Sequence, residues 1–130
     1  MTTRLRIDLA YDGSGFSGWA IQPELPTVQA ELEVAIARAL RLDRAAVRTV
    51  VAGRTDSGVH ATGQVCHVDV PAESVDNSSD PGPQLLKRLR GALGKTSAIW
   101  ITGVDIAPPG FDARFSPLAR RYEYRIADAL

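Results

Sequence analysis

The sequence predicts an α+β domain: a mainly antiparallel sheet with two helices packed on one face. Three observations predict it. The 130 residues fall in the usual size range of one domain, roughly 100–150, and 45% of them are hydrophobic against 23% charged, enough for a single core. Segments with a period of two alternate with segments of helical period. Their order, strand, helix, strand, strand, helix, strand, strand, is that of a split βαβ layer, ferredoxin-like or RRM-like, with one extra strand. Helices confined to one face leave the other face of the sheet free for a ligand.

The first strand is RLRIDLAY, with Leu5, Ile7, Leu9 and Tyr11 on one face and Arg4, Arg6 and Asp8 on the other. Asp12-Gly13 ends it with a turn signal, and SGFSGWAIQPELP, rich in Gly, Pro and Ser, reads as a loop. Thr27 caps a helix in which Val28, Leu32, Ala35, Ile36, Ala39 and Leu40 recur at helical spacing. Arg48 to Ala52 is a short β-branched strand, and Gln64 to Val70 is another, with Cys66, Val68 and Val70 sharing a face. PAESVDNSSDPGP is a polar loop, expected to be mobile. The second helix, QLLKRLRGAL, gathers Leu85, Leu86, Leu89 and Leu93 and stops at Gly94. AIWITGVDI and RRYEYRI complete the set as β-prone runs.

Composition removes several function classes. The single cysteine, Cys66, excludes an internal disulfide and fits a reducing compartment. No apolar run approaches the roughly 18 residues of a membrane span, and Met1 to Leu9 lacks a signal-peptide core, so a cytoplasmic protein with no membrane partner is expected. Lys plus Arg equals Asp plus Glu, 15 each, and the net charge of zero gives no global argument for nucleic acid. The distribution is less even. Lys87, Arg88 and Arg90 cluster on the second helix, and Arg114, Arg120, Arg121 and Arg125 crowd the C-terminal end. Such local basic faces can hold phosphate.

Between two apolar runs lies AGRTDSGVHATGQ, Ala52 to Gln64. Asp-Ser-Gly is an ordinary turn tripeptide, and that reading comes first on spacing alone. Arg54 and Asp56, two residues apart, would share a side of an extended backbone, and a close guanidinium would hold Asp56 ionised. An ionised carboxylate suits a nucleophile or electrostatic stabiliser rather than a general acid. His60, His67 and Asp69 match no metal-ligand spacing, so no metal is expected. GSGFSG lacks the lysine of a phosphate-binding loop.

GRTDSGVHATGQV resembles the signature of the TruA-type tRNA pseudouridine synthases, usually GRTDAGVHA. YDGSGFSGW, FDARFSP and ARRYEYRI resemble three further blocks of that family, in the same order, so the resemblance runs from Leu5 to Ile126. Ser57 stands where the family commonly has Ala, and Ala20 where it commonly has Gln. The resemblance implies a pseudouridine synthase subdomain, residues 1–130 being the N-terminal catalytic half of a longer enzyme whose C-terminal half is absent from the chain. It implies that Asp56 is the essential catalytic aspartate, that Arg54 and Tyr122 hold the target nucleotide, and that Arg114, Arg120, Arg121, Lys87 and Arg88 contact RNA backbone. The implied substrate is the tRNA anticodon stem-loop at uridines 38 to 40, with no cofactor, and the implied active unit is a full-length homodimer. The 130-residue chain alone is then expected to be inactive. Two other readings compete: a non-catalytic RRM-like RNA-binding module, though no RNP1-like aromatic run is present, and an aspartate-dependent hydrolase using Asp56 and His60.

Overall fold

A computed structural model of the chain describes residues 1–75 and 81–115. Within them, β1 (Thr2–Tyr11), α1 (Val28–Leu40), β2 (Thr49–Val51), β3 (Ala61–Pro71), α2 (Gly82–Leu93) and β4 (Ile99–Ile106) follow the expected order. The four strands form one sheet in the order β2-β3-β1-β4, and every neighbouring pair is antiparallel. This is the ferredoxin-like arrangement. The strand expected at RRYEYRI lies outside the described residues, as do positions 76–80 of the polar loop.

The alternation in β1 sets the two faces of the sheet. Leu5, Ile7, Leu9 and Tyr11 are buried in one cluster with Cys66, Val68 and Val70 of β3 and Ile99, Ile101 and Val104 of β4. Both helices pack on this face, contributing Val28, Leu32, Ile36 and Leu40 from α1 and Leu85 and Leu89 from α2. Each fully buried aliphatic side chain there contributes about 1.5–3 kcal/mol relative to exposure. The helix ends follow their sequence signals. The Thr27 side chain accepts from the Ala30 N–H at 3.3 Å, and Gly94, at φ 85°, closes α2 by donating its N–H to the Arg90 carbonyl. α1 instead ends at Arg41 in the left-handed region (φ 57°), which its sequence does not announce.

Glu33 is fully buried in α1, yet every one of its demands is met. It accepts from the Thr49 N–H (2.8 Å) and hydroxyl (2.9 Å), and it pairs with Arg44 at 2.8 Å. The group ties α1 to β2 beside the loop of interest.

The second face of the sheet is not left free as the sequence led one to expect. Residues 111–113 lie across it, with Phe111, Ala113 and Val65 buried together. The Arg4 guanidinium donates to the Phe111 carbonyl at 2.6 Å, and the Ala113 N–H donates to His67 Nδ1 at 3.0 Å. Arg6 lies 5.6 Å from the Phe111 ring centroid. An aromatic over a charged strand face is satisfied by cation–π attraction as well as by burial, which the two-residue period of β1 alone does not reveal.

Candidate active site

The stretch between β2 and β3 is held from beneath, and the residues that hold it belong to the segment after β1. The Trp19 N–H donates to the Thr55 carbonyl at 3.0 Å, and the Gly58 N–H donates to the Phe16 carbonyl at 3.1 Å. The Gly13 N–H donates to His60 Nδ1 at 2.9 Å. Two glycines permit the approach. A Cβ on Gly13 would stand 1.9 Å from the Val59 carbonyl oxygen, and one on Gly18, at φ 90°, would stand 3.0 Å from the Thr55 carbonyl oxygen. The blocks YDGSGFSGW and GRTDSGVH are therefore one structural unit, although 33 residues of chain, 20–52, separate them.

A buried polar chain anchors the same loop to the sheet. The Thr55 hydroxyl lies 2.7 Å from the Tyr11 hydroxyl. Gln64 Nε2 donates to the Gly53 carbonyl at 2.7 Å and, more weakly, to Tyr11 at 3.4 Å. Burial raises the pKa of Tyr11, which therefore stays a neutral phenol. Trp19, wholly buried, packs 6.2 Å from the Tyr11 ring. None of Tyr11, Trp19, Thr55 or Gln64 stood out as a site residue in the sequence. The available signal was Gln64, a polar residue on the apolar face of a strand.

Thr55 is thus turned inward, and its neighbours Arg54 and Asp56 are exposed. Among the described residues neither of these two side chains has a hydrogen-bond or ion-pair partner. The close Arg54–Asp56 pairing expected from their spacing is not formed. Both side chains reach solvent, where an isolated surface pair contributes at most about 1 kcal/mol and gives no strong reason to lock.

Arg54 is brought instead to Arg114. Both line a cleft of about 300 Å³ with Trp19, Gln29, Thr49 and Ala52, at the margin where residues 111–115 meet β2. A larger cleft, about 420 Å³, lies against Tyr11, Asp12, His60, Thr62 and Trp100. Asp56 lines neither. Lys87 and Arg88 are exposed on α2, which packs on β4, at the opposite edge of the sheet from β2. Those two cations are not gathered at the loop. Arg90, on the same helix, is engaged by the Ile101 carbonyl at 2.9 Å and by the Trp100 ring at 4.5 Å. Tyr122, Arg120 and Arg121 lie outside the described residues.

Each member of the trio His60, His67 and Asp69 has its own partner: Gly13, Ala113 and Arg4 respectively. No group of three or more His, Cys, Asp or Glu among the described residues could hold a metal ion. Hydrogen bonds from the Ser14 hydroxyl and N–H hold the carboxyl of Asp12, beside His60, below the usual carboxylate range. Cys66 is fully buried in the apolar core, and that burial pushes its thiol far above the reactive range. Among the described residues no helix is long and apolar enough to cross a membrane.

No family model matches the chain. Individual proteins do. The chain is 56% identical over 126 residues to a tRNA pseudouridine synthase A of Frankia casuarinae, which covers 97% of the chain and 42% of that protein. It is 52% identical over 133 residues to the protein of the same name in Bifidobacterium animalis subsp. lactis, covering 98% of the chain and 44% of the relative. A third, in Cutibacterium acnes, is 54% identical over 126 residues. The chain spans less than half the length of these curated relatives.

Proposed function

The chain is homologous to the N-terminal half of the tRNA pseudouridine synthase A proteins, and on that footing we propose that it is the N-terminal catalytic half of an enzyme that isomerises uridine to pseudouridine in tRNA. In this reading the substrate is the anticodon stem-loop at uridines 38 to 40, and the active unit is a cytoplasmic homodimer of the longer protein. The observation that supports the reading is the loop itself: Thr55 is anchored on both its hydroxyl and its carbonyl, while the adjacent Asp56 carboxylate stands exposed and uncommitted.

Pseudouridine formation breaks the bond between N1 of uracil and C1′ of the ribose, turns the base, and joins its C5 to C1′. The proton displaced from C5 replaces the N1 substituent, so atoms balance without an oxidant or reductant. The step needs a carboxylate at the ribose, to attack C1′ or to take a proton from C2′. Asp56 is the group assigned to it. The target uridine must first leave its stack, at a cost of a few kcal/mol. Arg54, whose planar guanidinium can stack on a base or fork onto a phosphate, is assigned to hold the extruded nucleotide. Tyr122 is assigned to stack on the uracil. Arg114, beside Arg54 on the same cleft, together with Arg120, Arg121, Lys87 and Arg88, is assigned to the RNA backbone, where contacts are salt-dependent and insensitive to sequence.

An RRM-like binding module would stack bases on the open face of its sheet. Residues 111–113 cover that face here, which disfavours it. The decisive experiment incubates the full-length protein and its Asp56→Asn variant with unmodified tRNA and maps pseudouridine in the anticodon arm. Wild type is expected to form it, and the variant to bind tRNA without forming it. Equal product from both removes Asp56 from its role, and no product from wild type on any tRNA removes the synthase reading.

A further inference from the structure

We propose that Tyr11 and Gln64 are positioning residues that hold Gly53 and Thr55, on either side of Arg54, and so aim Asp56; the inference rests on the catalytic reading of Asp56. Both are almost completely buried, at 4% and 2% exposure, on the helix-packed face of the sheet. That face is mostly apolar, so two polar groups placed there need partners, and they find them in each other and in the loop.

The direction of the Gln64 bonds follows from their chemistry. Gln64 Nε2 can only donate, to the Gly53 carbonyl at 2.7 Å and to the Tyr11 oxygen at 3.4 Å. The Tyr11 oxygen is then an acceptor toward Gln64, and it shares a second hydrogen bond with Thr55 Oγ1 at 2.7 Å, in which either hydroxyl can donate. Gln64 Oε1 is occupied by the Val65 N–H at 3.1 Å, which fixes the amide's orientation. Gly53 and Thr55 are therefore each held by a side chain that cannot move without leaving a buried polar atom unpaired. The Trp19 N–H holds Thr55 from its carbonyl as well. Asp56 follows directly in the chain, so its Cα is set by a segment fastened at two carbonyls and one hydroxyl while its own side chain makes no bond that would orient it.

Positioning of this kind acts on the rate of the chemical step rather than on RNA capture, because neither hydroxyl nor amide is exposed to the substrate. Displacing a reacting group by about 1 Å can lower a rate by about 100-fold. The test compares the full-length wild type with Tyr11→Phe, Thr55→Val, the double variant, Asp56→Asn and a core control, Ile7→Val, in single-turnover assays on unmodified tRNA. Tyr11→Phe removes one oxygen and keeps the ring. It is expected to lower kcat by about 10- to 100-fold, to leave tRNA Kd within about twofold, and to be no worse when combined with Thr55→Val, since both remove the same bond. Gln64→Leu, if it folds, is expected to behave likewise.

Wild-type kcat in Tyr11→Phe beside an inactive Asp56→Asn overturns the positioning role and leaves the catalytic reading standing. Full activity in Asp56→Asn overturns both. Equal loss of kcat in Ile7→Val at a similar fall in Tm, or simple additivity in the double variant, reduces Tyr11 to a stabilising residue and also overturns the role.

Discussion

Among the glycines of the described residues the tightest approach is that of Gly13 to Val59, and Gly13→Ala measures what it is worth. The added Cβ would lie 1.9 Å from the Val59 carbonyl oxygen and 2.5 Å from its carbon, where real Cβ atoms essentially never come within 3.0 Å. Both atoms are backbone, so no rotamer change relieves the overlap. The two segments must separate by roughly 1 Å, which strains the neighbouring bonds from Gly13 to His60 and from Gly58 to Phe16. Overpacking of this order costs about 1–3 kcal/mol. For a full-length protein more than twice the length of this chain, as its relatives are, that lowers Tm by roughly 2 °C per kcal/mol. The displacement is delivered to the loop that carries Asp56, so kcat should fall by up to about 100-fold. Gly15→Ala is the matched control: it lies two residues away in the same turn, and its added Cβ meets nothing within 4 Å. Differential scanning fluorimetry and single-turnover tRNA assays on the full-length protein read both quantities. A Gly13→Ala protein with the Tm and kcat of Gly15→Ala would refute the close approach, and with it the union of the two sequence blocks.

Glu33→Ala should destabilise by about 3 kcal/mol in chemical denaturation, because it strips partners from the buried Thr49 N–H and hydroxyl and from Arg44; a loss under about 1 kcal/mol contradicts that network. Thr27→Ala should cost about 1 kcal/mol through its N-cap, with Thr27→Ser recovering most of it. Burial lowers the pKa of His67 below its usual 6.5, and protonation at Nδ1 would break the bond from the Ala113 N–H. Because the folded state disfavours the proton, its stabilisation is complete above about pH 6.5 and declines as pH falls below it. Thermal melts from pH 7 to 5 should show that decline in wild type and less of it in His67→Asn, and identical slopes would contradict the reading.

The parts of the fold legible in the sequence are those whose physics is local or periodic. Leu5, Ile7, Leu9 and Tyr11 announce a face because a strand has a period of two, and Thr27 and Gly94 announce helix ends because caps satisfy orphan backbone groups nearby in the chain. What stayed hidden is contact between distant segments. Phe111 covers the Arg4 and Arg6 face of β1, and nothing in the period of β1 indicates a lid of that kind. The i, i+2 spacing of Arg54 and Asp56 suggests a charge pair, and both residues are exposed. It cannot say that they face open solvent, where neither charge is desolvated and pairing gains little. Tyr11 reads as core from its alternation, and it is core. Its hydroxyl acquires a use only because Gln64 and Thr55 arrive at the same spot from elsewhere in the chain.

The contacts between the two blocks are made largely by main-chain atoms: the Phe16 and Thr55 carbonyls accept, the Gly13, Trp19 and Gly58 amides donate, and Val59 presents its carbonyl to Gly13. A clash with a side chain can be relieved by shortening that side chain. A clash with a carbonyl cannot, since every residue carries one. No substitution at Val59 would therefore make room for a side chain at Gly13. The converse matters more for the chemistry. Because the loop is held through Thr55, Gly58 and their carbonyl and amide groups, with a long 3.4 Å bond from the Ser57 hydroxyl to the Phe16 carbonyl, the side chains of Arg54 and Asp56 contribute little to keeping it in place. The side chains of Arg54 and Asp56 make no hydrogen bond or ion pair within the described residues. Their identities are left to be set by what approaches from solvent, and under the proposed function that is a flipped nucleotide, whose anionic phosphate suits a guanidinium and whose ribose carbons suit a carboxylate.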